Sequence, residues 1–263
     1  MSHDSPSRPA HGSHHAAASP VGTLDLSEKG APIDGQPQRL DERLFMQLLV
    51  FELPEGADAH QEQNRLKEAL AANGIASVGY ADVNHPRRVG LLSFGTDPAV
   101  FVERVRPLFS AGALSSWTLV PSLTMIGRTY SSGYESDLQF WMLDRPVQTV
   151  LNPKWPWAVW YPLRRKGAFE QLQGQEKGSI LREHATIGRT YGEHDLAHDV
   201  RLACHGLDES DNEFVIGLVG SELYPLSHVV QRMRSTVQTS TYMEKMGPFF
   251  VGKVLWQLGR KAP

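Results

Sequence analysis

Between Trp155 and Tyr191 the chain gathers the residue types that could hold a flat, anionic, metal-bearing ligand. An aromatic, β-rich run ends in Tyr161-Pro162 and is followed by three cations, Arg164, Arg165 and Lys166. A helix then carries one histidine, His184, in series with Leu181, Ile187 and Tyr191. Steps of three, three and four residues place these four side chains on one helical face. A neutral imidazole on an apolar face can ligate a metal. A phenol on a facing strand and cations at its end could serve the ring and its carboxylates, since arginine grips a carboxylate with a bidentate fork. The same histidine could instead be a core residue with a satisfied hydrogen bond, and the basic triplet a solvated turn.

Strand alternation extends the candidate set. Trp157, Val159, Tyr161 and Leu163 share one side of their strand, so the Tyr161 phenol can face the pocket of His184. Further on, Asp199, Arg201, Ala203 and His205 fall on one face, with Val200, Leu202 and Cys204 on the other. A face bearing Asp, Arg and His suits a site; an edge strand with one solvated face is the competing account.

The elements that must position these residues read as a repeat. Strands are expected at 44–53, 75–83, 89–94 and 115–125, with helices at 57–73 and 97–109; Asp97 and Pro98 open the second helix. That order is β-α-β-β-α-β, the ferredoxin-like unit. The second half repeats it. Strands are expected at 157–163, 200–205, 213–219 and 249–256, and helices at 169–191, interrupted near Gly174 and Gly178, and 223–233. The expected class is α+β, two ferredoxin-like repeats forming a dimeric α+β barrel. The organisation is a disordered tail (1–40), an N-terminal domain (41–150) and a C-terminal domain (151–263) carrying the pocket. The link at 126–154 is too aromatic to be idle, and the glycines of its GRTYSSGY run suggest a tight turn beside the pocket.

Composition narrows the function. The 263 residues are 41% hydrophobic, with a net charge of -3 and no dense basic stripe, so nucleic acid is not an expected partner. One cysteine, Cys204, cannot build disulfides or a thiolate metal cluster and suits a reducing compartment. No run approaches the roughly 18 apolar residues of a membrane span, and the tail lacks the apolar core of a secretory signal. A cytoplasmic protein is expected. His11, His14 and His15 in the tail could hold a metal loosely, although a solvated low-complexity segment explains them as well.

Four motifs in order carry a family resemblance. They are Tyr161-Pro162-Leu163 with its basic follow-up; Arg182-Glu183-His184 with Gly188-Arg189 and Tyr191; Gly206-Leu207-Asp208; and Met233-Arg234, Tyr242 and the run Gly247 to Gly252. Together they resemble the chlorite dismutase superfamily of haem proteins, which includes the peroxide-dependent coproheme decarboxylases. The first half matches only in element order. The resemblance implies His184 as the proximal haem-iron ligand and a cofactor that is haem b or coproheme. It implies Tyr161 as the redox residue beside a propionate that leaves as carbon dioxide. Arg164, Arg165, Arg145 and Thr239 are implied as propionate contacts, and a homopentamer as the assembly. The family's distal residue stands thirteen positions after the histidine, which here reaches Ala197; counting back from Phe214 instead reaches Arg201, the favoured distal residue, with His198 and His205 as rivals. A distal arginine would suit chlorite, whereas the GPFFVGK end resembles the decarboxylase branch. Peroxide-dependent decarboxylation of iron coproporphyrin III is the favoured activity. Chlorite turnover and a non-catalytic haem carrier or sensor are the alternatives.

Overall fold

The computed structural model describes residues 24–259. β1 (Glu28–Ile33) and β2 (Gln36–Leu40) form an antiparallel hairpin. The first repeat follows: β3 (Phe45–Glu52), α1 (Ala59–Ala72), β4 (Ser77–Asp82), β5 (Arg88–Gly95), a wide helical turn (Phe101–Val105) running into α2 (Arg106–Ser110), then β6 (Thr118–Leu119) and β7 (Met125–Arg128). A second wide turn (Phe140–Asp144) leads into α3 (Arg145–Val150). The second repeat contains β8 (Trp157–Arg165), α4 (Ala168–Gln171), α5 (Gly174–Glu193), β9 (His198–Ala203), β10 (Phe214–Gly220), α6 (Leu223–Arg234), α7 (Val237–Tyr242), β11 (Met243–Met246) and β12 (Phe250–Leu258).

Each repeat sets its outermost strand beside its first, in the orders β7-β3-β5-β4 and β12-β8-β10-β9. This is the expected ferredoxin-like pattern, twice. The sheets then join at both edges. β4 pairs with β12 from Asp82↔Gly252 to Ser77↔Leu258, and β7 meets β9 at Arg128↔Ala203. Of ten strands, β6 and β11 are short additions to β3 and β8; the others close a ring. Closure removes the free edges that would invite foreign strands.

Alternation decides what fills the ring. Met46, Leu48, Val50, Val78, Tyr80, Leu92, Phe94, Trp160, Val200, Leu202, Val215 and Phe250 point inward and pack as one core. The Trp160 indole fits because its cross-strand partner is Gly217, where a Cβ would stand 2.5 Å from the ring. The outer faces carry helices: α1 and α2 cover the first repeat, and α5 and α6 cover the second.

Four details depart from the sequence expectations. Residues 28–40 of the expected tail form the β1–β2 hairpin; residues 1–23, with His11, His14 and His15, lie outside the described residues. The hairpin lacks an apolar period because polar groups anchor it. Ala31 N donates to Glu135 O at 2.9 Å, Gln38 Nε2 donates to the same oxygen at 2.9 Å, and Ser131 N donates to Glu28 Oε2 at 3.0 Å. The strand expected at 115–125 instead pairs chiefly as β7, because Pro121 offers no N–H to a ladder and opens a short turn. The break at Gly174 is present, but the helix continues through Gly178. Leu181 is 42% exposed, and Ile180 takes its inward place.

Candidate functional site

α5 presents Ile180, His184, Ile187 and Tyr191 inward, at steps of four, three and four residues. Leu181 lies about a quarter-turn from the middle of that stripe, which explains its exposure. The opposing wall is the outer face of β8, β10 and β9. Strand register builds three rows there: Leu163–Phe214–Ala203, Tyr161–Ile216–Arg201 and Val159–Leu218–Asp199. Tyr161 and Arg201 are thus two strands apart, roughly 10 Å, in a single row.

Both walls are incompletely covered. Ile180 is the one fully buried side chain of α5, and Phe214 and Ile216 are only half-buried, whereas their inward neighbour Val215 is 1% exposed. His184 Nδ1 is shielded from solvent yet has no hydrogen-bond partner among the described residues. Burial and the Arg201 charge pull the His184 pKa below the ordinary imidazole value, with Glu183 and Asp199 opposing. The ring is therefore neutral at pH 7, the form that can ligate a metal. Glu183 ties the helix in place: its carboxylate accepts from Val237 N at 3.0 Å, at the start of α7.

Tyr161 is 5% exposed, its ring stacked on Phe249 at 4.7 Å between centroids. Burial, with Asp199, pushes its pKa well above the ordinary phenol range against the pull of Arg234. The phenol keeps its proton.

Arg201 places Nε 3.0 Å from Asp199 Oδ2. Arg145 grips Asp199 from the other side, donating to Oδ1 at 2.7 Å and to the backbone oxygen at 2.9 Å, while its guanidinium lies 4.7 Å over Trp141. Burial opposes ionisation of Asp199, but the two arginines outweigh it and hold the pKa below the ordinary carboxylate value. Thr129, Tyr130, Glu135, Trp141, Arg145, Pro146 and Arg201 line a small open cleft of about 20 Å³. On its wall the Glu135 carboxylate accepts from Ser132 N at 2.8 Å, Ser132 Oγ at 2.7 Å and Gly133 N at 3.0 Å. Those bonds overcome its burial and keep it ionised.

The basic triplet divides. Arg165 is on the Tyr161 side of β8, 3.1 Å from Glu213 and 3.0 Å from Glu170, with its guanidinium 4.3 Å over Phe169. Arg164 turns to the other face, where Asp211 and Glu244 hold it at 3.3 and 3.0 Å, so it does not join the pocket. Lys166 Nζ donates to Thr241 O at 2.8 Å. Arg145 is engaged with Asp199 rather than grouped with this triplet. Thr239 sits on α7, its backbone N–H donating to Thr236 Oγ1 at 3.4 Å. Of the distal rivals, His198 stacks on Trp155 at 3.5 Å and bonds Asp195 at 2.7 Å, away from the Arg201 row. His205 lies edge-on to Phe214 at 5.4 Å, and Ala197 is buried in the packing under α6. Tyr130, Glu135 and Trp141 were not identified as site residues from the sequence. Their signal was the aromatic content of the link.

The architecture is that of a paired ferredoxin-like barrel with one histidine-bearing helix held over an open sheet face. The chain belongs to the chlorite dismutase family, whose sequence pattern matches residues 102–255 and whose members bind haem. Solved structures support the same fold. A heme-binding protein from Thermus thermophilus is 22% identical, with a TM-score of 0.62 over 82% of this chain and 92% of that one. A mutant chlorite dismutase from Candidatus Nitrospira defluvii in complex with cyanide is 12% identical, with the same TM-score of 0.62 and the same coverages of 82% and 92%. The chlorite dismutase from that organism in complex with imidazole is 11% identical at a TM-score of 0.62, again over 82% and 92%. No curated protein matches the sequence at a significant level. Among the described residues, no helix is long and apolar enough to cross a membrane.

Proposed function

We propose that the chain binds an iron porphyrin between α5 and the β8–β10–β9 face and carries out peroxide-dependent oxidative decarboxylation of iron coproporphyrin III to haem b. The residues fit such a group. His184 Nδ1 is a buried polar atom without a partner, and the apolar walls facing it are half-covered. No group of three or more His, Cys, Asp or Glu among the described residues could hold a bare ion, so one imidazole suits a metal that arrives in its own macrocycle. Bound there, the iron porphyrin supplies the redox chemistry with peroxide.

The chain's own residues prepare that chemistry. His184 offers a neutral nitrogen. Tyr161 holds a protonated phenol against Phe249, shielded from water. Arg234, whose charge lowers the phenol's pKa, is a cation near it that could orient a carboxylate, whereas Arg165, at the end of the same strand face, is already paired with Glu213 and Glu170.

The observation that carries the choice of oxidant is charge compensation. Arg201 and Arg145 are matched by Asp199 and Glu135, so the cleft beside Arg201 has no net positive charge to concentrate an anion. That suits neutral hydrogen peroxide better than chlorite. A second reading, chlorite turnover, draws on Arg201 itself, since a cation in that row could hold an anionic oxidant. By family resemblance the assembly is a homopentamer.

The test is to load the purified full chain with iron coproporphyrin III, add hydrogen peroxide stepwise and follow the porphyrin mass. Stepwise loss of two carboxyl groups ending at haem b is expected. Tight binding with no mass change, together with oxygen release from chlorite by the haem b-loaded protein, would establish the second reading instead. Tight binding with neither reaction would leave a carrier or sensor.

A further inference from the structure

Tyr191 ends the inward stripe of α5. It stands seven residues after His184, two helical turns or roughly 10 Å further along the same face. It packs in the same cluster as Tyr161, Ile187 and Ile216, yet the proposed decarboxylation makes no use of it. Its hydroxyl lies 2.5 Å from His228 Nδ1 on α6, and neither side chain has another hydrogen-bond partner among the described residues. The phenol proton therefore has one protein acceptor, and that acceptor is a base able to take it. On the far side of His228 lies the ring of Tyr224, one turn earlier on α6, stacked at 5.7 Å between centroids with 25° between the planes. Tyr224 is 73% exposed. Phenol, imidazole and phenol thus form a row from the open layer to the surface.

This arrangement has a redox consequence. Taking an electron from a phenol whose proton stays in place leaves a cation in an apolar layer, which is costly. Moving the proton to a hydrogen-bonded imidazole in the same event avoids that cost, because histidine carries the charge readily. We propose that Tyr191, His228 and Tyr224 form a one-electron path between the open layer and the surface. Tyr191 gives an electron to the peroxide-oxidised porphyrin and its proton to His228, and Tyr224 draws the replacement electron from a small phenolic donor in solution. The inference rests on the reading of an iron porphyrin in the open layer, and its test separates the two.

The steps balance. First the Tyr191 O–H bond breaks, an N–H bond forms at His228 Nδ1, and the electron goes to hydrogen peroxide by way of the bound iron porphyrin. Next an electron from Tyr224 restores Tyr191, which recovers its proton from His228, while the Tyr224 hydroxyl proton goes to water. The phenolic donor then gives Tyr224 one electron and one proton and leaves as a phenoxyl radical. Two such passages, with two protons from water, reduce one peroxide to two water molecules. Peroxide that arrives after decarboxylation is complete has this exit for its oxidising power.

The test treats the haem b-loaded full chain with hydrogen peroxide and a nitroso spin trap, without a phenolic donor, and locates the adducts by peptide mass. Adduct should accumulate at Tyr224 and not at Tyr134, which is more exposed at 86% but belongs to no aromatic row among the described residues. Tyr191→Phe and His228→Gln should each remove the Tyr224 adduct. The glutamine oxygen still accepts from the phenol but cannot take its proton, so a merely structural tie between α5 and α6 would keep the adduct in that variant. Adduct persisting at Tyr224 in both variants, or equal labelling of Tyr134 and Tyr224, would overturn the inference. The apoprotein, oxidised by photogenerated ruthenium(III) tris-bipyridine, judges the row without the porphyrin. Half-buried Tyr191 should then be labelled by way of Tyr224, and Tyr224→Phe or His228→Gln should remove that label; a label unmoved by both would overturn the path. Failure of the full chain to take up any iron porphyrin would overturn the functional reading instead.

Discussion

The two repeats share a topology but treat the layer between sheet and helix in opposite ways. Under α1 the layer is full: Leu66 and Leu70 are 0% exposed, Phe51 stacks on Phe109 at 4.0 Å, and buried Glu62 accepts from Trp117 Nε1 at 2.8 Å. That layer has its own unpaired group, the buried Trp256 Nε1, which finds no acceptor among the described residues. Under α5 the layer is open, with Ile187, Phe214 and Ile216 half-buried and a histidine nitrogen unsatisfied. Interiors normally pack to crystal-like density, and buried polar groups normally find partners. The two layers differ in packing: apolar side chains fill the first and leave the second half-covered. Under the proposed function, the half-covered layer of the second repeat is where the iron porphyrin would sit.

Stability measurements can break this contrast most directly. Leu66→Ala removes a fully buried side chain from the closed layer and should cost about 2–5 kcal/mol in urea unfolding of the apoprotein. Ile187→Ala, in the open layer, should cost less than about 1 kcal/mol. Equal losses at the two positions would mean that the layer under α5 is as well packed as its counterpart.

A smaller effect of opposite sign should come from filling the open layer. Gly188 lies one turn beyond His184, and a Cβ there would meet Met233 Cε at 3.7 Å, ordinary van der Waals contact. Gly188→Ala should therefore raise apoprotein stability by about 0.5–1 kcal/mol through helix propensity and a less flexible unfolded chain. A net destabilisation in thermal or urea unfolding would show that the space is already occupied.

How much of this was legible beforehand varied with the physics of each part. The double β-α-β-β-α-β order followed from hydrophobic periodicity, because each strand buries one or both faces against a core. The family resemblance singled out Arg201 and Tyr161, alternation gave the faces they occupy, and register then placed them in a single row. The same alternation separates Arg165 from Arg164, which shows why the triplet could not act as a unit. The β1–β2 hairpin was missed because its order comes from Glu28, Gln38 and backbone groups of residues 131–138, 97 to 103 positions away, and no local pattern encodes such anchors. The partner of Arg201 sat two residues from it, but the ion pair takes its form from Arg145 on a segment whose path was unreadable from sequence.

The smallest expected effect tests whether the open layer is electrostatically coupled to the cleft. His184 in the folded protein has a pKa below its ordinary value of about 6.5, so the unfolded chain takes up a proton before the folded one does. The folded state therefore keeps its full stability above about pH 6.5 and loses part of it as pH falls towards the lowered value. After burial, Arg201 is the main cause of the depression, while Asp199 acts in the opposite sense. Arg201→Gln should raise the His184 pKa and narrow the acid-sensitive window; Asp199→Asn should lower the pKa and widen it. A ring-proton NMR titration of the full-length apoprotein reads both shifts, expected to be well under one pH unit because the larger cause, burial, is unchanged. Opposite signs would place His184 and the arginine–aspartate pair in one electrostatic field, on the two walls of the same pocket. Two null shifts would separate the helix from the cleft and leave the open layer without its distal side.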